Sequence, residues 1–131
     1  MKKLLLIFTL LFSTLMFSTP SYGEWTKVIG SVTGDNFYVD LDRIRKHSGY
    51  VYVWRLADYL KPTKTGMLSD KSYDQVDCKL FRHKWLSVSF HIKPMGGGIG
   101  ENVKVPEKHK GWKYPPPGSV AETVLKEVCK Q

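Results

Sequence analysis

The last part of the chain carries the clearest local signal in the sequence. Residues 115–129 read PPPGSVAETVLKEVC, and the prolines end any preceding element because proline cannot continue a helix or an inner strand. Ser119 and Glu122 have the spacing of a capping box, in which each side chain satisfies a backbone N–H at the start of a helix. The following apolar residues recur at helical spacing and define one face: Ala121, Val124, Leu125 and Val128. The sequence therefore predicts a short C-terminal helix with an apolar face that needs a partner.

Cys129 lies four residues after Leu125, on the same predicted helix face, and the only other cysteine is Cys78. An even pair of cysteines in an exported chain indicates a disulfide. Closing a loop of about fifty residues adds roughly 4 kcal/mol to the free energy of unfolding, an upper figure because strain and residual structure subtract from it. The alternative, a redox-active pair, lacks the C-x-x-C spacing of that chemistry. We therefore expect a helix that is covalently tied to an earlier part of the chain.

Residues 1–23 have the layout of a secretory signal peptide. A basic start is followed by an apolar run over residues 4–17 and by small residues before a cleavage site at Glu24. The run is short for a membrane-spanning helix, and the alternative is an uncleaved anchor. The segment contains no cysteine, so it cannot be processed to an acylated lipoprotein. We expect an exported protein with a single domain over residues 24–131, located in the periplasm, secreted or at the cell surface, and not membrane-spanning.

The middle of the chain favours strands. Runs rich in aromatic and β-branched residues alternate with turn signals, and the strongest run is residues 50–60, YVYVWRLADYL. Both of its alternating faces are largely apolar, so we expect a central strand with Trp54 in the core. Residues 41–46 follow an N-cap type of residue and favour a single helical turn. Strands followed by one helix indicate an α+β fold, an antiparallel sheet with the helix packed on one face. The predicted seat of the helix is a strand face formed by Val76, Cys78 and Leu80.

No motif in the sequence points to catalysis or to a cofactor. The glycine-rich residues 96–100 lack the following helix and the Gly-Lys-Ser/Thr ending of a phosphate-binding loop. The four histidines form no metal-binding spacing, and His91 is expected on the solvent side of a strand. The sequence has no nucleophile elbow, and we expect a sheet of this size to offer a poor cleft for acid–base chemistry. We therefore expect a protein that is not an enzyme and that needs no metal or cofactor.

The chain is basic, with a formal net charge of +8 at pH 7. Such a charge favours acidic partners, namely anionic glycans, membrane surfaces, acidic protein patches or nucleic acid, whereas the alternative is lysines scattered for solubility. Trp112 and Tyr114 lie among three lysines, and flat aromatic faces beside basic residues can hold sugars, protein or single-stranded nucleic acid. The alternative for Trp112 is that it closes the sheet edge above the disulfide. Export argues against nucleic acid as the ligand.

A series of short motifs runs along residues 25–129: W-x-x-V, F-Y-V-D, V-W-R-L-A-D-Y, S-x-K-S-Y-D-Q-V-D-C, M-G-G-G and W-x-Y-P-P-P-G-S-V-A-E-T-V-L-K-E-V-C. In this order they resemble the surface-adhesin protein E family. The resemblance implies an antiparallel sheet of about six strands with a C-terminal helix tied to it by the disulfide. It also implies a non-enzymatic adhesin, displayed on the bacterial surface, that binds host extracellular-matrix glycoproteins such as vitronectin and laminin.

The missing cysteine at the cleavage site departs from the family's namesake, which is a surface lipoprotein. An alternative function is therefore a periplasmic or envelope accessory protein without a host ligand, since a fold does not fix a function. For matrix binding, charge and position favour a basic stretch around Cys78, together with the two aromatic residues. These candidate ligand-binding residues are Lys61, Lys64, Lys71, Lys79, Arg82, Lys84, Trp112 and Tyr114.

Overall fold

A computed structural model describes residues 24–131, and the predicted signal peptide at residues 1–23 lies outside the described residues. The described part forms an antiparallel sheet of seven strands and one α-helix, α1 (Val120–Cys129). The strands are β1 (Thr26–Gly30), β2 (Asn36–Val39), β3 (Arg45–His47), β4 (Tyr50–Asp58), β5 (Ser69–Asp77), β6 (Arg82–His91) and β7 (Gly100–Val103). The predicted α+β class is confirmed. The helical turn predicted over residues 41–46 is a 3₁₀ turn limited to Leu41–Arg43, and the chain continues into β3, the additional strand.

The sheet has the spatial order β1-β2-β4-β5-β6-β7, and β3 pairs with the same edge of β4 as β2 does. Because side chains alternate along a strand, β4 presents Val51 and Val53 to α1 and its aromatic residues to the opposite face. The core between sheet and helix consists of Val39, Val51, Val53, Val76, Val124, Leu125 and Val128. In the described part of the chain, one face of the sheet thus carries α1, and the other carries no α-helix, only the short 3₁₀ turn Pro94–Gly96 at one end.

The helix begins as its sequence predicts. The Oγ of Ser119 accepts a hydrogen bond from the N–H of Glu122 at 3.1 Å, and the carboxylate of Glu122 accepts one from the N–H of Gly118 at 3.3 Å. One turn later in the helix, the ammonium nitrogen of Lys126 lies 3.4 Å from the same carboxylate. Val124, Leu125 and Val128 are buried. The predicted cap and apolar face are confirmed. The carboxylate of Glu122 bonds to the N–H of Gly118, whereas in an ideal capping box it would bond to the N–H of Ser119.

The predicted seat of the helix is right for Val76 and wrong for Leu80. Val76 is fully buried beneath α1, whereas the side chain of Leu80 is 54% exposed. β5 ends at Asp77 because its carboxylate accepts hydrogen bonds from the N–H groups of Lys79 and Leu80, at 3.1 and 3.2 Å, and folds the chain into a turn. Cys78 lies in that turn and not in a strand. The predicted disulfide between Cys78 and Cys129 is confirmed, with the two Cα atoms 5.7 Å apart.

His91 is buried, which corrects the expectation that it faces solvent. The histidine is 4% exposed, and its ring covers Gly100 on the neighbouring strand so closely that a Cβ there would lie 2.2 Å from the ring. Burial, together with the positive charge of Lys71, lowers the pKa of His91.

Residues 24–131 include no helix with the length and apolarity that crossing a bilayer would require.

Candidate functional site

The helix-free face of the sheet carries a row of aromatic side chains. Trp54 on β4 lies opposite Tyr73 on β5, with ring centroids 4.9 Å apart, and Tyr52 stacks on Tyr73 at 6.2 Å. All three residues are half-buried. The prediction that Trp54 belongs to the core is wrong, because the helix packs on the other face of β4 and leaves this ring on the surface.

Trp112 extends this row at the edge of the sheet. Lys113 pairs with His83 through two backbone hydrogen bonds, of 3.0 and 2.7 Å, so the chain there runs as a short extension beside β6. The alternation of side chains places Trp112 on the helix-free face, where its ring stacks on Tyr50 at a centroid distance of 5.6 Å. A single backbone bridge therefore fixes the position of this tryptophan.

Two cations lie against the ring of Trp112. The guanidinium carbon of Arg82 is 4.2 Å from the ring centroid, and the ammonium nitrogen of Lys84 is 4.7 Å from it. Both distances are within the range of cation–π attraction. Nη1 of Arg82 also donates to the hydroxyl of Tyr114 at 3.5 Å. We call Tyr50, Arg82, Lys84, Trp112 and Tyr114 the Trp112 cluster.

Arg82 is held in place by the turn that ends β5. Its Nε donates to the carboxylate of Asp77 at 2.9 Å, the same carboxylate that shapes the turn. The guanidinium therefore lies between a fixed anion and a fixed aromatic ring, which restricts its rotamers. A cation fixed in this way loses little conformational entropy when an anionic group binds beside it.

The structure brings together only part of the predicted ligand-binding set. Lys79 lies in the turn next to the Trp112 cluster. Lys71 is on β5, on the helix-free face, but its stem packs against Gly96 so closely that a Cβ there would lie 3.0 Å from Lys71 Cδ. Lys61 and Lys64 lie in the connection after β4, at the other end of the sheet. Since β5 has 9 residues, the two ends are roughly 30 Å apart.

A pocket of about 480 Å³ opens on the helix side of the sheet, which corrects the expectation of a poor cleft. The segment after β7 crosses above the sheet and walls the pocket, with Val105 buried and the ring of His109 5.7 Å from that of Trp85. Most of the lining is apolar: Phe37, Ala57, Trp85, Val88, Phe90, Val103, Val105, Pro106 and Val124. Its size and walls suit a small apolar molecule.

Two pairs of charged or polar side chains lie at the floor of this pocket. Arg55 donates to buried Asp74 at 2.6 Å, and the hydroxyl of Tyr59 donates to the carboxylate of Asp70. Burial raises the pKa of Asp70, and burial together with Asp70 raises the pKa of Tyr59. For Asp74, burial favours the protonated acid, but the charge of Arg55 and the nearby ring of His83 outweigh it and lower the pKa. The floor therefore holds one ion pair, Arg55 with Asp74, and one carboxyl group, Asp70, bonded to a neutral hydroxyl.

Within residues 24–131 no group of three or more His, Cys, Asp or Glu side chains is arranged to hold a metal ion. The described residues thus present two features with the character of binding sites. One is the Trp112 cluster on the helix-free face, which is aromatic and basic. The other is the apolar pocket on the helix side.

The fold and these features define a small sheet-and-helix binding domain with a disulfide-tied C-terminal helix. The sequence model of the surface-adhesin protein E family matches residues 25–130, and the chain belongs to this family. Comparison with curated protein sequences gave no match.

Solved structures of Haemophilus influenzae protein E have the same fold. One crystal form of that protein superposes with a TM-score of 0.60 at 16% sequence identity, covering 86% of this chain and 91% of that one. Protein E from a non-typeable strain gives a TM-score of 0.58 at 15% identity, covering 86% of this chain and 79% of that one. At this level of identity the likeness establishes the fold.

Sequence reasoning missed the aromatic row and the pocket. Tyr50 and Tyr52 alternate with valines, which indicates a strand but does not tell which face the helix will cover. The residues of the pocket come from six separate segments, and no local pattern connects them. By contrast, the signal for Trp112 was local, because aromatic and basic residues alternate around it.

Proposed function

We propose that this protein is an exported, adhesin-like binding module that binds host extracellular-matrix glycoproteins or anionic glycans through the Trp112 cluster. Membership of the surface-adhesin protein E family supports an adhesin. The observation that carries the proposal is the position of Arg82 and Lys84, both within 5 Å of the Trp112 ring centre on the face without a helix. Two cations held against one aromatic ring suit a ligand that carries acidic groups.

The chemistry of such ligands matches the cluster. Sugar rings and planar side chains stack on tryptophan, and carboxylate or sulfate groups pair with guanidinium and ammonium groups. Tyr114, which is 62% exposed, adds a hydroxyl at the rim. Because Asp77 already orients Arg82, the cluster needs little rearrangement on binding. Lys79 in the adjoining turn adds a third positive charge.

Binding to immobilised vitronectin, laminin and heparin tests the proposal. We expect Arg82→Gln/Lys84→Gln to weaken binding and to flatten its dependence on salt, because two cations no longer contact the ligand. Trp112→Ala should lower affinity roughly tenfold or more, as expected for a central aromatic anchor. Lys61→Gln/Lys64→Gln removes the same charge at the other end of the sheet and is the matched control. Equal losses in both double variants would contradict the proposal.

Cellular location separates this function from a periplasmic or envelope accessory role. The absence of a cysteine in residues 1–23 is the observation that favours the accessory role. Protease treatment of intact cells removes a displayed domain and spares a periplasmic one. We expect loss of the protein from intact cells, with a known periplasmic protein as the control. Full protection, together with loss only after the outer membrane is opened, would support the accessory role.

A further inference from the structure

Three connections leave the sheet at the same end. Asn36 pairs with Gly30 and Asp58, and Ser69 pairs with Asp58 and His91, so these residues form a row across one end of the sheet. His91 in turn pairs with Gly100. The connections 31–35, 59–68 and 92–99 therefore lie side by side, and we call them the three-hairpin end. With strands about 4.8 Å apart, the three turns span roughly 20 Å.

Exposed apolar side chains concentrate at this end. Residues 24–131 expose nine large hydrophobic side chains, and five of them lie in these three connections. They are Val32, Leu60, Ile92, Met95 and Ile99. Val32 and Ile99 are almost completely exposed, at 106% and 93%. Single apolar residues scattered over a surface are ordinary, but a concentration in neighbouring turns marks an interaction site.

The charges displayed by the same connections are positive. Lys61, Lys64 and Lys93 are all exposed. Two carboxylates border or lie within these connections and accept backbone hydrogen bonds there: Asp35 from the N–H of Leu60 at 2.9 Å, and Asp58 from the N–H of Met95 at 2.8 Å. The excess charge at this end is therefore positive, three lysines against two carboxylates, and the carboxylates are held by backbone N–H groups of the turns.

The turns are braced against one another, so the apolar side chains are held outward. Leu60 packs on Gly34 so closely that a Cβ there would lie 2.7 Å from Leu60 Cδ2. The hydroxyl of Ser69 donates to the carbonyl of Lys93 at 2.7 Å and accepts from the N–H of Gly96 at 2.8 Å. Met95 between them has a φ of 57°, a left-handed conformation that such bonds must hold in place for a non-glycine residue.

We propose that the three-hairpin end docks on the surface of an anionic lipid bilayer. The apolar side chains enter the interface between headgroups and acyl chains, and the three lysines contact the negative headgroups. Each lysine that reaches an anionic surface contributes roughly a fivefold gain in partitioning. This inference goes beyond the proposed function, because it concerns a different ligand at the opposite end of the sheet from the Trp112 cluster.

The composition of this end favours lipid over a protein partner. Protein interfaces are depleted in lysine, whereas anionic membrane surfaces attract it. Aliphatic side chains with lysines around them are instead the combination found where a protein surface enters a membrane interface.

Cosedimentation with sucrose-loaded vesicles tests the proposal on the protein purified after export. We expect binding to vesicles of phosphatidylglycerol and phosphatidylcholine, and at least tenfold weaker binding to phosphatidylcholine alone. Val32→Ser/Leu60→Ser/Ile99→Ser and Lys61→Gln/Lys64→Gln/Lys93→Gln should each reduce partitioning at least tenfold. The matched controls are Leu80→Ser/Leu86→Ser/Val103→Ser and Lys79→Gln/Lys104→Gln/Lys108→Gln, which change exposed residues elsewhere. Absence of binding by the parent, or equal losses in variants and controls, would overturn the proposal.

A second measurement locates the contact. Ile99→Trp places a fluorophore at the three-hairpin end, and Leu80→Trp places one in the turn at the other end. We expect vesicles containing brominated lipid to quench the added fluorescence of the first variant and not of the second. Sedimentation equilibrium then tests for a second copy of the chain as the occupant. The surface would be a dimer interface if the parent self-associated and the serine triple variant did not, while that variant still bound vesicles. This result would contradict the proposal.

Discussion

Among single residues, Asp74 has the least replaceable position in the fold. It is completely buried, Nη1 of Arg55 donates to one carboxylate oxygen at 2.6 Å, and Nδ1 of His83 lies 3.4 Å from the same oxygen. The second oxygen has no hydrogen-bond partner in the described part of the chain. The lowered pKa of Asp74 indicates an ion pair between a buried carboxylate and the half-buried guanidinium of Arg55. Removing either charge alone is therefore expected to destabilise the folded state.

We expect Asp74→Asn to lower the free energy of unfolding by about 3–5 kcal/mol at neutral pH, because the guanidinium of Arg55, only 16% exposed, would lose its counter-ion. Urea unfolding followed by circular dichroism measures this loss. Glu107→Gln removes a carboxylate whose side chain is 87% exposed, and is the control, with an expected change within about 0.5 kcal/mol. A loss for Asp74→Asn no greater than that of the control would show that the pair contributes little.

The same carboxylate predicts a pH dependence. Because the pKa of Asp74 is lower in the folded state than in the unfolded state, the unfolded state binds more protons at acidic pH. The stabilisation is therefore complete above the unfolded pKa of about 4 and is lost as pH falls through the folded pKa. The difference in unfolding free energy between the parent and Asp74→Asn should shrink as pH falls from 5 towards 2, about where carboxylates titrate. A constant difference would contradict this assignment.

Among the elements, α1 tests how far local sequence determines structure. Ser119 contributes one hydrogen bond to its cap, accepted by Ser119 Oγ from the N–H of Glu122. We expect Ser119→Ala to lower the free energy of unfolding by about 1 kcal/mol, because it leaves that N–H without its side-chain acceptor. Chemical unfolding measures the change, and Ser87→Ala, at an exposed position in β6, is the control. Equal stability of both variants would mean that solvent replaces the cap without cost.

The disulfide ties α1 to the turn after β5 and should contribute more than the cap does. Cys78 and Cys129 are separated by 51 residues, and the chain-entropy estimate for such a loop is about 4 kcal/mol at most. We expect Cys78→Ala/Cys129→Ala to lose a large part of this amount. Reductant should lower the unfolding midpoint of the parent and leave that of the double variant unchanged. If the parent unfolded identically with and without reductant, the disulfide would contribute nothing to the free energy of unfolding.

The elements also show where prediction from sequence stops. The cap and apolar face of α1 follow local rules and were predicted, as was the strand β4 from its alternation. The end of β5 was not, because it depends on Asp77 binding two backbone N–H groups, and alternation alone continued the strand through Leu80. Alternation likewise cannot tell which face of β4 the helix will cover, so Trp54 was assigned to the core.

In the whole molecule, the binding surfaces depend on contacts between distant segments. Trp112 reaches Arg82 because Lys113 pairs with His83, about thirty residues earlier in the chain. The composition of residues 108–117 indicated that this segment was basic and aromatic, but not which cations it would meet. Charge alone grouped Lys61 with Lys79, whereas the register of β4 and β5 places them at opposite ends of the sheet. The pocket likewise exists only once the segment after β7 has crossed the sheet.

The separation of the two surfaces predicts that they act independently. Arg82 and Lys61 lie at opposite ends of a sheet about 30 Å long, so charge changes at one end are screened from the other at physiological salt. We expect Arg82→Gln/Lys84→Gln to lose binding to matrix glycoproteins and to retain at least half of its vesicle partitioning. Lys61→Gln/Lys64→Gln/Lys93→Gln should show the reverse.

The combined variant should show both losses without an additional effect, as expected for distant sites that share no partner. Parallel measurements of glycoprotein affinity and vesicle cosedimentation on all four proteins complete this cycle. One double or triple variant could abolish both activities while it kept the far-ultraviolet spectrum and the unfolding midpoint of the parent. In that case the two ligands would have to share one surface. Net charge would then determine binding, and the assignment of separate roles to the Trp112 cluster and the three-hairpin end would be wrong.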